Sequence, residues 1–575
     1  MRRVCRWGRG MVSLLLLFIV VSCVRSREDP PRVSPFDVRV VGRGEVEVVC
    51  APPQARTEAP DVRYSTSPLT PVSWDEARAV GPWLPVTVDG TPKLRSSLRG
   101  LPPILHYLAA RTCGKAFPSL SPVTTVLPLR ETILHGRLGG HYFGHALALV
   151  GDVDGDGYGD LLVGAPWSDE GLEGQRPAYV RWVRRLLRGV GISLHGTKAG
   201  AASLYLGGPQ GPASTPAWTL LGKAEGDFLG SAVAGVGDLN GDGYADFAVG
   251  SPGHDTSLRN EGAVAIYFGR RGPLPSEPDL RLVGRTRDES LGSAITGGDF
   301  NGDGYADLVV GAPGSNLGQF NGGAVFVFYG GPRGPSTRPG TVLVGKTLDG
   351  LLGSAVAAVG DVNGDGHGDL LVGAYEGVAD PTAAGAVYLY YGGPNGLSPT
   401  PALTLRGRKG GEQFGSALAA LGDINGDGFP DFAVGARKND DAGEDAGAVF
   451  VYHGARGGPL PAPRAILRGP APGAQFGAAL AGVGDLSGDG CADFLVGAFN
   501  AGGSGEGAVF LYLGGAKGVG HEAALALHGR HPGAHFGQAV AGAGDLDGDG
   551  QLDFAVGSEG ESARGNQAGA VFVRY

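Results

Sequence analysis

"GDVNGDGHGDLLVG", residues 360–373, sets oxygen-bearing side chains at Asp361, Asn363, Asp365 and Asp369, with glycines between them, and runs on into an apolar stretch. Counted from its first aspartate as position 1, the row has side-chain oxygens at positions 1, 3, 5 and 9 and offers a backbone carbonyl at position 7. It occurs seven times: Asp152, Asp154, Asp156, Tyr158, Asp160; Asp238, Asn240, Asp242, Tyr244, Asp246; Asp299, Asn301, Asp303, Tyr305, Asp307; Asp361, Asn363, Asp365, His367, Asp369; Asp423, Asn425, Asp427, Phe429, Asp431; Asp485, Ser487, Asp489, Cys491, Asp493; and Asp545, Asp547, Asp549, Gln551, Asp553. Position 7 would use only its carbonyl, which accounts for a side chain that varies from Tyr to Gln. Glycine at position 6, Gly366 in this row, permits the sharp turn that folds the oxygens inward.

Crowded carboxylates with no His or Cys among the side-chain donors point to a hard cation, Ca²⁺ rather than zinc or copper, at up to seven sites. Mg²⁺ suits such a loop less, because its strict octahedron takes fewer protein ligands. A helix-flanked calcium loop needs an acid at position 12, where all seven rows carry valine, for example Val163 and Val372. The loop is therefore a turn between strands. Removing the four arginines of the first 23 residues takes the formal charge from −10 to −14, which seven divalent ions would neutralise. Plain polar turns are the competing reading, since Asp, Asn and Gly are ordinary turn formers; seven repeats of one spacing weigh against it.

The first aspartates are spaced by 86, then 61, 62, 62, 62 and 60 residues. Each unit reads as four short β segments, as in "ALTLRG", "FGSALAALGD", "DFAVGA" and "GAVFVYHG", the content of a propeller blade. The chain stops at Tyr575 with three strands of the seventh unit made, while "ETILHGRLGGHYFG", residues 131–144, matches the start of a later unit. A spare strand near Glu131 to Leu134 should therefore close the ring as the outer strand of the last blade, removing two exposed edges. The expected fold class is all-β: a seven-bladed β-propeller over 131–575, with an insertion at about 167–200, preceded by a β-sandwich over 33–127.

The 42% apolar and 18% charged composition is that of a globular chain. Residues 1–23 have the layout of an export signal, with Arg2, Arg3, Arg6 and Arg9 before the run "MVSLLLLFIVV", which is too short to span a bilayer. A linker follows over 24–32. The end "VVSC" resembles a bacterial lipobox, implying cleavage and lipidation at Cys23; an ordinary signal with a chance cysteine is the alternative. The mature chain is then expected in the bacterial cell envelope as a membrane lipoprotein or at the cell surface, and secreted if the lipobox is not used. Short alternating segments such as "VEVVCAPP" and "DVRYSTSP" read as sandwich strands. "VRYSTSP" with "LRGLPPILHYLAARTC" resembles a fibronectin type III domain, with Leu101, Pro102 and Tyr107 at its tyrosine corner, although the family's buried Trp is missing. Cys50 and Cys113 could pair across its sheets or stay as free thiols.

The array resembles the Phe-Gly/Gly-Ala-Pro repeats of the integrin α-subunit propeller. Phe-Gly stands at Phe143-Gly144, Phe414-Gly415, Phe476-Gly477 and Phe536-Gly537, with Leu229, Leu291 and Leu352 replacing Phe in the other units. Gly-Ala-Pro is complete at 164–166 and 311–313 and degenerate at Gly373-Ala374-Tyr375. The resemblance implies structural Ca²⁺ on one face and ligands on the other. All seven acidic rows are present here and no membrane span or leg domain follows, so no integrin role is implied.

The first unit's extra length contains "AYVRWVRRLLRGVG", residues 178–191, a basic amphipathic segment with Arg181, Trp182, Arg184 and Arg185. With Trp167 these residues are candidate ligand contacts on the face away from the metal; a rim helix packed on the blades and a local reading-frame error are the alternatives. No Gly-x-Ser-x-Gly, His-Glu-x-x-His or sialidase box occurs, and His141, His254 and His535 are scattered along the chain. The expected function is binding of an extracellular protein or glycan, as an adhesion or recognition module held at a membrane by its lipid, with no nucleic-acid partner. The alternative is a Ca²⁺-dependent enzyme acting on polysaccharide or lipid from the non-metal face.

Overall fold

The computed structural model describes residues 130–137, 140–170, 198–374, 383–562 and 567–575, and the strand backbones of an N-terminal unit. The chain divides into two compact units, Met1–Pro128 and Leu129–Tyr575. In the first, one antiparallel sheet runs Phe18–Ser22, Val33–Gly42, Glu45–Cys50, Thr91–Arg99, Leu84–Val88, and a second runs Arg78–Ala79, Asp61–Ser65, Tyr107–Arg111. Phe18–Ser22 stands in the segment read as an export signal and pairs with Val33–Gly42. Cys23, Cys113 and the side chain of Cys50 lie outside the described residues.

The second unit is seven four-stranded antiparallel sheets. The fourth is typical: Ala355–Gly360, Asp369–Ala374, Ala386–Tyr390 and Leu403–Arg406, each paired with the next in sequence. The first strands of successive sheets lie side by side around a closed ring, and that of the seventh, Phe536–Gly544, meets that of the first, Ala146–Gly151. The seventh sheet takes its fourth strand from Glu131–His135, paired from Glu131↔Arg574 to His135↔Ala570, as the spare segment at the start of the array predicts.

Burial follows from this arrangement. The second strands, "DLLVGA" and its siblings, are buried at every position because neighbouring blades cover both faces of the sheet. Outer strands such as Leu403–Arg406 alternate instead. The apolar core sits between blades: Leu134, Phe143, Leu161, Tyr205, Leu546 and Val571 join the seventh to the first. The Phe-Gly elements fasten these junctions, since Phe143, Phe476 and Phe536 bridge to Gly569, Gly447 and Gly507 of the preceding blades.

Candidate metal centres and the opposite face

Each acidic row connects the first and second strands of its blade, so all seven lie on one face; the loops between second and third strands, and those between blades, lie on the other. Within a row the backbone does most of the shaping. Asp361 accepts the N–H groups of Gly364, Asp365 and Gly366 at 2.7, 2.9 and 2.7 Å. Asp369, fully buried, accepts Val362 N–H at 3.0 Å and Gly392 N–H, from beyond the third strand, at 3.0 Å. The position 5 carboxylate accepts the position 7 N–H, as from His367 to Asp365 at 3.0 Å. Mutual repulsion among the carboxylates is therefore offset in part by backbone dipoles before any cation arrives.

Burial pushes the position 9 carboxyls up: to about 7 for Asp160, Asp246, Asp369, Asp431 and Asp493, to about 6 for Asp307 and to about 8 for Asp553. Backbone N–H donors oppose the rise and neighbouring aspartates add to it. Asp553 stands highest because Leu546 alone donates to it among the backbone N–H groups described, where its siblings have two donors.

The donor set fits a hard cation. Carboxylate oxygens of Asp152, Asp154 and Asp156 lie within 4.8 Å of one another, as do those of Asp545, Asp547 and Asp553. Two position 3 oxygens, Asp154 Oδ1 and Asn363 Oδ1, are buried without a hydrogen-bond partner. In the fourth row the Asn363 amide turns its Nδ2 to Asp365 Oδ2 at 3.0 Å, which leaves Oδ1 for a ligand. Oxygen of this kind, short of a partner, is what Ca²⁺ coordination supplies.

The reading of position 7 as free to vary is corrected. Its side chain packs on the position 4 glycine of the preceding row: a Cβ built on Gly155 would stand 2.4 Å from the Tyr244 ring, and one on Gly241 2.5 Å from Tyr305. The backbone joins in at five junctions, where the position 8 N–H donates to the position 1 carbonyl of the preceding row, as Ala245 to Asp152 at 3.0 Å and Gly159 to Asp545 at 2.8 Å; Pro430, at position 8 of the fifth row, has no N–H to give. Six of the seven junctions are laced through this glycine, Gly488 of the sixth row alone meeting nothing within 4 Å. The sign in the sequence was the run of aromatic residues at Tyr158, Tyr244, Tyr305 and Phe429.

On the other face a polar lock joins the entry loop to the second-to-third strand loop in the first, second, third and fifth blades. The partners differ from blade to blade: His141 with Asp169 at 3.1 Å, Asp227 with His254 at 3.3 Å, Glu289 with Ser315 at 3.3 Å, Glu412 with Asn439 at 2.6 Å. His141 and His254 are accounted for by these pairs. His535 is not scattered: it lies 3.6 Å from Glu559, which His145 meets at 2.6 Å. Trp167 is engaged locally, against the Tyr142 ring at 4.2 Å with Lys198 Nζ 5.2 Å above it. Arg181, Trp182, Arg184 and Arg185 lie outside the described residues.

Comparison with known proteins agrees with this architecture. The FG-GAP repeat model matches residues 143–180, 229–267, 291–328, 352–390, 414–452 and 536–573. Integrin alpha-5 of Xenopus laevis is 34% identical over 223 residues, 37% of this chain and 20% of the relative. Integrin alpha-IIb of Mus musculus is 39% identical over 226 residues, covering 37% and 20%, and integrin alpha-PS2 of Drosophila melanogaster 34% over 239 residues, covering 39% and 16%. The chain thus spans about a fifth of the length of the curated relatives it matches. It carries an integrin-α-like β-propeller of FG-GAP repeats, and the sixth sheet has the same strand order without lying in a matched segment.

Proposed function

We propose that this protein is an exported, lipid-anchored recognition module: a fibronectin type III-like spacer carrying a Ca²⁺-loaded propeller that binds an extracellular protein or glycan on the face opposite its acidic loops. Cys23 would hold the lipid, and positions 1, 3, 5, 7 and 9 of the seven rows would hold Ca²⁺, whose charge supplies the compensation the clustered carboxylates call for. The strand orders of the N-terminal unit are compatible with a sandwich spacer.

The observation that carries the binding reading is apolar. Among the described residues four large hydrophobic side chains are exposed, and three of them lie on two adjacent loops of the non-metal face: Leu317 at 51% and Phe320 at 64% in the third blade's second-to-third strand loop, and Leu348 at 61% in the loop from the third blade to the fourth. Asp349 N–H donates to the Phe320 carbonyl at 2.9 Å and holds the loops together. Exposed apolar residues gathered at one place, with polar neighbours, are what a partner covers. The test is a binding screen of the full chain in Ca²⁺ against extracellular proteins and glycans, each hit then repeated with Phe320→Ser/Leu348→Ser and assayed for product release. Loss of binding in the double variant is expected. Unchanged binding would move the site elsewhere, and product release without stoichiometric binding would favour an enzyme.

A further inference from the structure

Three blades carry a phenylalanine in the middle of the third strand together with an arginine six residues before the Phe-Gly element: Phe326 with Arg285, Phe450 with Arg408, and Phe572 with Arg530. In the fifth and seventh blades the pair is closed. Arg408 lies over Phe450 at 5.5 Å and Arg530 over Phe572 at 5.3 Å. The Phe-Gly rings of Phe414 and Phe536 stand edge-on to the same phenylalanines at 5.2 and 5.3 Å. The third blade has Leu291 in place of that ring, and among the described residues no aromatic ring or guanidinium packs on Phe326. A cavity of about 160 Å³ opens there instead, lined by Phe326, Phe328, Leu282, Leu291, Arg281 and Arg285 among others.

We infer that this cavity, between the outer strand of the second blade and the third blade, binds a small aromatic carboxylate. The ligand's ring would stand where Phe414 and Phe536 stand in the sibling blades, against Phe326, and its carboxylate would meet Arg285 and Arg281. The volume sets the size, because an apolar cavity of about 150 Å³ holds one benzene ring. The walls set the ring: Phe326, Phe328, Leu282 and Leu291 are all buried, and the repeat itself places an aromatic edge at this point in two other blades.

The arginines set the charge. Arg281 and Arg285 are exposed, and among the described residues neither enters a salt bridge, whereas Arg259 and Arg270 nearby pair with Asp288 and Asp279. Two free guanidiniums beside an apolar cavity suit a carboxylate, whose two oxygens accept forked N–H donors. Glu289, which also lines the cavity, is engaged by its own loop: it accepts the N–H groups of Arg285 and Thr286 at 2.5 and 3.0 Å and the Ser315 hydroxyl at 3.3 Å. Its charge is thus already met.

The test titrates the full chain, saturated with Ca²⁺, with 3-phenylpropanoate and with the neutral amide of the same acid, by calorimetry and ligand-observed NMR. One equivalent of the acid is expected to bind, about tenfold or more tighter than the amide, and Arg281→Gln and Arg285→Gln should each weaken it about tenfold. Leu291→Phe installs the residue that sibling units carry at Phe414 and Phe536, so the fold is kept, and unchanged melting in Ca²⁺ checks this. It fills the cavity and should abolish uptake, while Asp365→Ala leaves uptake untouched. No uptake by the wild type, an amide that binds as tightly as the acid, or uptake that survives Leu291→Phe would overturn the proposal. If Leu291→Phe melts lower than wild type, Arg281→Gln/Arg285→Gln decides in its place, and undiminished uptake by that variant would overturn it equally.

Discussion

The two faces of the propeller are made by the same repeat and have diverged to different degrees. On the acidic face the position 4 N–H meets the position 1 carboxylate at 2.6–2.7 Å in all seven rows. On the opposite face the equivalent locks are His–Asp, Asp–His, Glu–Ser and Glu–Asn. The difference lies in what each must satisfy. A row must arrange backbone donors, a buried carboxyl and the neighbouring loop at once, and few residues do all three. A lock needs only complementary partners, so it can drift, and drift is what lets one junction gather His145, His535 and Glu559.

Removing divalent cations should break the comparison most strongly, because it acts on one face alone. Each site occupied at a hundredfold its Kd adds about 2.7 kcal/mol, and the rows act together, so chelation is expected to lower Tm more than any single substitution, read by calorimetry. The size should depend on pH. Without cation the position 9 aspartates hold protons in the native state up to about pH 6–8 that the unfolded chain releases near pH 4. Stability of the metal-free chain therefore falls as pH rises through that window, while Ca²⁺ favours the ionised form. The Tm gained from Ca²⁺ should be larger at about pH 8 than at about pH 5, and an equal gain would count against carboxylate ligation.

Asp369→Ala should cost about 3 kcal/mol in urea unfolding even in chelator, because the buried Val362 N–H and the half-buried Gly392 N–H lose their acceptor. A cost below about 1 kcal/mol would mean that the carboxylate serves cation alone. Next comes Gly155→Ala, which drives a methyl into Tyr244 at a φ of +76° and should cost about 2–3 kcal/mol. Gly488→Ala meets nothing within 4 Å, so its cost should be nearer the backbone penalty of about 1 kcal/mol. Equal costs would show that the lacing between rows is without consequence. Smallest is Phe320→Ser, within about 0.5 kcal/mol of wild type while removing a contact to ligand.

Much of the ring was legible from spacing. Seven rows, four segments per unit and the match of residues 131–144 to a later unit lead to the closed propeller, because a β repeat must bury its faces on neighbours and hide its edges. The lacing of Tyr244 over Gly155 was not, since a pairing between blades has no signature within one unit. His535 reads as scattered in the sequence for the same reason: its partners His145 and Glu559 are distant along the chain, and only the ring brings the first blade against the last. Comparing each position down the seven units would have marked all three as departures.

The strand Glu131–His135 has its partner 443 residues further along, where Arg574 reaches Glu131 at 2.6 Å. During synthesis this strand leaves the ribosome first of the array and must wait, unpaired, until its partner Ala570–Arg574 emerges. Six blades can assemble neighbour by neighbour in the meantime, but the seventh is complete only once Ala570–Arg574 has been made. The junction carrying His145 and Glu559 is thus the last part of the ring to form, and a chain stalled before Ala570 would present an almost finished propeller with an open sheet edge.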